Sequence, residues 1–348
     1  MIQTENHLIK ETDSIKSALI KLNELGVYLT LFAVDEDRKL VGTLTDGDIR
    51  RALIQDIPVS EPVSKAMHRD FFYLRKNKFS LDAIQQIKEL QLHLVPYLDE
   101  GGKLLKIINF DSKKSFLPID AFIMAGGKGL RLRPLTLNVP KPLLKVGNKP
   151  IMERNLDLLC NFGIQNAYIS INYLGEQIIE YFQHDYKGEI KLEYVREGKP
   201  LGTLGSMSLV DGFENDYILL MNSDLLTNID LEDFFFDFLK SDAAMAIATV
   251  PYKVDVPYAV LETSNNFVSN LKEKPSYTYY SNGGIYLIKR ELTKLVPFDS
   301  FYNATDLVEN LIASKMKVLS YPLRSYWLDI GKHEDFEKAQ EDVKHIKF

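Results

Sequence analysis

The feature that most constrains this 348-residue chain is an apolar strand that runs straight into a basic glycine loop. AFIM at 121–124 reads as a buried strand. It continues as Ala125-Gly126-Gly127-Lys128-Gly129-Leu130-Arg131-Leu132-Arg133-Pro134-Leu135-Thr136. Glycines at this point let the backbone approach a phosphate and aim successive N–H groups at it. Lys128, Arg131 and Arg133 add positive charge. Pro134 argues against a long helix opening from the loop. The GxxxxGK[ST] pattern of a P-loop is absent, and GGKGLR lacks the third glycine of the dinucleotide fingerprint.

Downstream, helical and strand patterns alternate. A helix is predicted from about Ile151 to Phe162, with Pro150 at its first turn. AYISINY (167–173) reads as a strand, LGEQIIEYFQ as a helix and IKLEYV (190–195) as a strand. YILLMNSD (217–224) is a strand ending in an acid, and EDFEKAQEDVKHI is a polar-faced helix. This alternation predicts βαβ units and a mainly parallel, Rossmann-like α/β sheet. Ligand sites in such sheets lie at the C-terminal strand ends, where Asp224 falls. Asp329, in Tyr326-Trp327-Leu328-Asp329-Ile330-Gly331, ends another apolar segment and is expected to converge with it. Two carboxylates with phosphate oxygens and waters suit an octahedral Mg²⁺. Each aspartate also reads as the cap of a following helix, a role that does not exclude metal binding.

GGKGLRLRPLT followed by Pro140-Lys141-Pro142-Leu143-Leu144 strongly resembles the GGxGxRLxPLT…PKP element of sugar-1-phosphate nucleotidyltransferases, which join an NTP to a sugar 1-phosphate and release pyrophosphate. The resemblance covers 119–340. It implies that Ala125, Gly126, Gly127 and Gly129 receive the nucleotide, that Arg131 grips the triphosphate and that Lys141 sits on the α-phosphate. Fixed cations aimed at crowded phosphoryl oxygens lower the barrier to in-line attack. It also implies Asp224 and Asp329 as Mg²⁺ ligands.

Glu197-Gly198-Lys199-Pro200-Leu201-Gly202-Thr203-Leu204-Gly205-Ser206 resembles the family's base-binding segment. Gly202 would let the base rest on backbone, and Glu197 would accept the N–H donors of guanine, which favours GTP. Glu273-Lys274-Pro275 and the Asn282 of Ser281-Asn282-Gly283-Gly284 resemble the elements that hold the sugar and its phosphate. Tyr258-Ala259-Val260 departs from the usual YGV and leaves the sugar's identity open. Regulatory members of this fold that have lost the chemistry would lack cations or carboxylates. Arg131, Lys141, Asp224, Lys274 and Asp329 are all present here.

The first third holds two self-similar blocks offset by about 64 residues. Each begins with an amphipathic helix (Ile15, Leu19, Leu22; Ile84, Ile87, Leu90) and continues as strand, acidic turn and strand (LVGTL at 40–44, LLKII at 104–108). The turn GTLTDGD at 42–48 resembles the ligand-facing segment of CBS modules, which occur as tandem pairs and often bind adenine nucleotides. The resemblance implies a phosphate contact for Thr45 and a ribose contact for Asp48. Their other reading is as caps of the helix that follows. In the second block Asn109 and Ser112 stand at these positions, so one site at most is equipped. Nucleotide sensing and a purely structural or dimerising pair both remain open. The expected organisation is a tandem CBS pair at 1–115 (repeats about 1–57 and 58–115), a linker in KKSFLP (113–118) and a nucleotidyltransferase domain at 116–348. This order of parts resembles bacterial enzymes that make GDP-glucosamine for legionaminic acid. Mannose or heptose 1-phosphate as acceptor, and a thymidylyl- or uridylyltransferase, are the alternatives.

Composition narrows the rest. A net charge of −6 gives no footprint for nucleic acid or an anionic membrane. No apolar run reaches the ~18 residues of a spanning helix, and the first residues carry no signal-peptide core. The single cysteine, Cys160, fits a reducing compartment, so a cytoplasmic protein is expected; as a small apolar residue it is expected in the core. The six histidines show no zinc spacing. A homo-oligomer is expected, since both kinds of module self-associate.

Overall fold

The computed structural model describes residues 3–76 and 80–348. Met1, Ile2 and the Phe79 that opens the second N-terminal block lie outside them. The chain divides into two compact units, Met1–Phe116 and Leu117–Phe348.

The first unit is a duplication. β1 (Leu8–Lys10), α1 (Ile15–Leu25), β2 (Thr30–Val34), β3 (Leu40–Thr45) and α2 (Asp46–Ile54) form one half. β4 (Leu74–Arg75), α3 (Leu81–Glu89), β5 (Leu94–Leu98) and β6 (Leu104–Asn109) form the other. Each half has a three-stranded sheet whose first pair is parallel and whose second is antiparallel. The register repeats too. Thr30 faces Thr45 and Leu94 faces Asn109, and each ladder slips once, after Ala33 and after Tyr97. The connecting turns match: the Lys39 and Lys103 amides each donate to the carboxylate of Asp35 and Asp99, at 2.8 Å. Lys39 and Lys103 then pair with each other in antiparallel sense, which places a local two-fold axis between them. Phe32, Val34, Leu40, Leu98 and Ile107 form a core drawn from both halves.

Ser14 and Ser80 cap α1 and α3 by accepting the Ser17 and Ala83 amides. Ile15, Leu22, Ile84 and Ile87 are buried and Leu19 is half-buried. Leu90, expected on the same stripe, is exposed, because as the C-cap it still follows the helical period, which turns it about 120° from Ile84. The halves also differ at their ends: α2 follows β3, whereas after β6 the chain makes a turn held on Asn109.

The second unit contains β7 (Ile119–Met124), the short β8 (Lys145–Val146) and β9 (Lys149–Pro150), α4 (Ile151–Asn161), β10 (Asn166–Ile171), α5 (Gly175–His184) and β11 (Lys191–Arg196). It continues with β12 (Tyr217–Asn222), β13 (Leu225–Thr227), α6 (Leu231–Ser241), β14 (Met245–Asp255), β15 (Val260–Ser264), β16 (Phe267–Lys272) and β17 (Ser276–Lys289). It ends with α7 (Ala304–Ala313), β18 (Val318–Pro322), β19 (Trp327–Asp329) and α8 (His333–Asp342). The main sheet has the order β11-β10-β7-β12-β17-β14-β18. All its pairs are parallel except the two made by β17, so the mainly parallel α/β architecture holds. Helices cover both faces in such sheets, which is why β7, β10 and β12 are nearly continuous apolar runs. Cys160, expected in the core, is half-buried at the end of α4.

Register aligns the C-terminal ends of four strands. Met124 pairs with Asn222 and with Ser170, and Ile171 pairs with Arg196. The loops after β7, β10, β11 and β12 therefore leave from one edge. The opposite edge is pinned by Asp120, fully buried in β7. Its carboxylate accepts from the Asn166 amide at 3.0 Å and from the Asn215 backbone and side-chain N–H groups at 2.8 and 2.7 Å. Asp120→Ala strands these donors and is expected to cost about 2–4 kcal/mol of stability, measured by chemical denaturation of the full chain.

Candidate functional site

The glycine loop leaves β7 at Ala125, which is buried and donates its N–H to the Ser170 carbonyl at 3.1 Å. Gly129 has φ +58°, and a methyl there would meet the Thr136 side chain at 3.0 Å and the Lys141 β-carbon at 3.3 Å. Only glycine takes that conformation cheaply in so tight a place. The fully buried Thr136 donates its hydroxyl to the Gly129 carbonyl at 2.8 Å and closes the loop. Leu130–Leu132 is a single 3₁₀ turn, and Leu132 drops into an apolar cluster with Leu144, Leu328 and Ile330. No long helix follows, as Pro134 predicted. Lys141 sits in a second 3₁₀ turn, Lys141–Leu143, behind Pro140.

The two aspartates meet through a ribbon. β13 and β19 pair antiparallel, with Leu225 opposite Asp329, and Ile330 donates its N–H to the Asp224 carbonyl at 3.1 Å. The Lys141 ammonium is paired with Asp224 Oδ2, both side chains being mostly buried. Asp224 Oδ1 and Asp329 Oδ1 are buried and have no hydrogen-bond partner. Burial, and then the charge of Asp224, push the Asp329 carboxyl above its ordinary pKa; Lys141 and Arg131 pull it back. Two orphaned carboxylate oxygens under like-charge strain are what a divalent cation would satisfy. Among the described residues no group of three or more His, Cys, Asp or Glu forms a cation cage.

Asp224, Lys141, Arg131, Ala125, Gly127 and Gly129 line one cleft of about 350 Å³, together with Ser223 and Gly331. Gly126 lies to one side, its α-carbon turned toward Glu197, whose carboxylate a methyl would meet at 3.0 Å. Glu197 is half-buried and already accepts from the Ser170 hydroxyl and, at 3.4 Å, from the Leu201 N–H; a carboxylate retains capacity for further donors. Gly202 has φ +77°, and its bare face is turned to the chain itself: a methyl would lie 2.7 Å from the Tyr302 carbonyl. That carbonyl accepts from Leu204 and Gly205, and Asn303 accepts from Thr203. The requirement for glycine at 202 therefore comes from the segment before α7.

Glu273 and Lys274 are exposed in the turn between β16 and β17, and Tyr258 and Ala259 are exposed between β14 and β15. None of these four is among the residues that line the cleft. The Asn282 side chain donates to the Tyr286 hydroxyl at 2.7 Å and accepts from the Gly284 N–H at 2.9 Å. Several neighbours were not anticipated. Asn155, buried in α4, donates to the Ser223 carbonyl at 3.4 Å. Asn222 lies against Gly284, and Trp327 donates to the Gly283 carbonyl at 2.8 Å. Asn222 was visible two positions before Asp224; the others carry no local signal.

In the first unit, Thr45 and Asp48 form a reciprocal capping box on α2. Asp48 Oδ2 accepts from the Thr45 N–H and hydroxyl at 2.8 and 2.6 Å, and the Asp48 N–H donates back to the Thr45 hydroxyl. Asp48 Oδ1 is paired with Arg51. The capping role is thus realised in the structure.

Residues 120–346 match the nucleotidyl transferase family and residues 2–55 match the CBS domain. The chain belongs to the nucleotidyl transferase family, with a CBS domain ahead of it. It is 31% identical over 228 residues to the bifunctional protein GlmU of Methanocaldococcus jannaschii, covering 64% of this chain and 53% of that protein. It is 29% identical over 225 residues to mannose-1-phosphate guanyltransferase of Saccharomyces cerevisiae, covering 62% of each. The chain thus spans between half and two thirds of these relatives. Against D-glycero-alpha-D-manno-heptose 1-phosphate guanylyltransferase of Aneurinibacillus thermoaerophilus it is 29% identical over 230 residues, 65% of this chain and 99% of that one. HddC from Yersinia pseudotuberculosis superposes with a TM-score of 0.52 at 28% identity, covering 65% of this chain and 99% of that one. Its complex with GMP-PN gives 0.51 at 25% identity over the same shares. No helix among the described residues is long and apolar enough to cross a membrane.

Two outcomes follow from the charges. A carboxyl with a raised folded pKa favours the fold while protonated and loses that contribution as pH rises through its folded value. Asp329→Asn is therefore expected to raise the melting temperature without metal at pH 7, and the gain should vanish near pH 3, where the wild-type group is protonated. Asp48→Ala removes the capping box and is expected to cost the first unit about 1 kcal/mol without any ligand, read from hydrogen exchange in α2.

Proposed function

We propose that the second unit transfers a nucleotidyl group from an NTP, GTP in first place, to a sugar 1-phosphate, giving an NDP-sugar and pyrophosphate. The observation that carries this reading is the pair of orphaned oxygens of Asp224 and Asp329, the first of which lines, with Lys141 and Arg131, a cleft floored by a glycine loop at the C-terminal end of a parallel sheet. A sugar-phosphate oxygen attacks the α-phosphorus in line, a new P–O bond forms, and the bond to the β-phosphate oxygen breaks to release pyrophosphate. No general base is needed, since a phosphate monoester is largely ionised near neutral pH. The main obstacle is bringing two polyanions together, so positioned cations do most of the work. Loop amides and Arg131 hold the triphosphate, and Lys141 faces the α-phosphate. Lys274 pairs with the sugar phosphate while Glu273 and Asn282 orient the sugar. Asp224 and Asp329 would hold Mg²⁺, which when bound supplies charge neutralisation on the phosphate oxygens.

Guanine as the base is supported by Glu197 in its PLGTLG segment and by the relatives named as guanylyltransferases. Glucosamine 1-phosphate as acceptor, for legionaminic acid, rests on the order of parts. Heptose or mannose 1-phosphate is the second reading, and the named relatives favour it. The N-terminal pair is read as a regulatory or dimerising module; if it binds an adenine nucleotide, the ligand takes the Thr45–Asp48 end, and the capping box must lend it oxygens already in use. The protein is read as a cytoplasmic homo-oligomer.

The test is pyrophosphate release with Mg²⁺, crossing GTP, UTP, dTTP and CTP with glucosamine, glucose, mannose and heptose 1-phosphates. Turnover is expected with GTP and one acceptor. Asp224→Asn should reduce it to background, and Lys141→Ala should lower kcat by about 10²–10³. Wild-type turnover retained in Asp224→Asn would overturn the assignment.

A further inference from the structure

The segment around Asp329 is fastened to the glycine loop twice. Beneath the cleft, Ile330 and Leu328 pack with Leu132, which lies between the two arginines of the loop. At the surface, His333, the first residue of α8, places Nε2 2.8 Å from the Arg133 carbonyl oxygen. A carbonyl only accepts, so this nitrogen carries the hydrogen, in the neutral Nε2–H tautomer or in the imidazolium. Between the two fasteners the Arg131 guanidinium lies against Gly331, where a methyl would meet Nη2 at 3.3 Å. Arg131 is exposed on a long flexible stem. Its head can be aimed only if the backbone on both sides of it is held.

We propose that His333 is a positioning residue. Its hydrogen bond to the Arg133 carbonyl holds the cationic loop against the segment that carries Asp329, and so fixes Arg131 relative to the carboxylate pair and the triphosphate. The catalytic part of this rests on the nucleotidyl-transfer reading. The buried fastener of Leu132 and Ile330 is untouched by changes at 333, so variants should fold.

The experiment compares wild type, His333→Ala and His333→Gln in the full chain. Pyrophosphate release is measured with the acceptor that supports turnover, and hydrogen exchange is followed in residues 126–136. His333→Ala is expected to lower kcat about 3- to 10-fold, the worth of one hydrogen bond, to leave KM for the sugar phosphate unchanged and to speed exchange in the loop. His333→Gln, whose amide can donate to the same carbonyl, should recover most of both. Unchanged kcat and unchanged exchange in His333→Ala would overturn the proposal, as would a Gln variant no better than Ala. If the wild type turns over no acceptor, it is the nucleotidyl-transfer reading that fails. The exchange comparison then still decides whether His333 holds the loop.

Discussion

The pairing of β13 with β19 is the contact on which the candidate site depends. It is a ribbon of three residue pairs, yet it sets two carboxylates side by side that the chain supplies from far-apart segments. Nothing in the ribbon neutralises them fully. Lys141 is committed to one oxygen of Asp224, and at Asp329 burial and the like charge of Asp224 outweigh the pull of Lys141 and Arg131. A fold that served only its own stability would not keep this arrangement, because a buried like-charge pair costs free energy unless something cationic joins it. The surrounding parts fit that account: Lys141 is mostly buried on Asp224, and Arg131 is exposed in the glycine loop beside it.

The loops that carry these two cations are held by one local closure and two long-range contacts. Gly129 is fixed by Thr136, Leu132 is anchored in the apolar cluster under β19, and the Pro140 turn delivers Lys141 to Asp224. The segment at 197–206 is held differently. It is tied to the chain before α7 through the Tyr302 carbonyl and Asn303. Two separate anchors therefore hold the two segments: a change in the α7 side would be felt at 197–206, and a change near α8 at the glycine loop.

How much of this was legible depends on where the information lies. β7, β10 and β12 were readable because a strand buried on both faces must be an uninterrupted apolar run, and their ends fell within two residues of expectation. Lys141, Arg131 and the loop glycines were readable as one linear motif. Asp224 announced itself by ending a strand. Its partnership with Asp329 followed from resemblance, since no spacing rule joins residues that meet only through tertiary pairing. The contacts of Asn155, Ser170 and His333 were invisible for the same reason: each is a single side chain reaching a backbone or carboxylate oxygen that local sequence does not mark. Leu90 failed in the opposite way. Three-residue steps from Ile84 through Ile87 drift off the buried face, and at the C-cap Leu90 is turned about 120° from Ile84.

The N-terminal duplication shows how one missing element separates two copies with the same register. Both halves repeat the strand pairing, the ladder slip and the aspartate-capped turn. Only the first continues into a helix, because Thr45 and Asp48 can satisfy each other's amides at its start. Asn109 and Ser112 instead bond back into a turn. The two halves share a core and a local two-fold axis while differing in how their ends are closed.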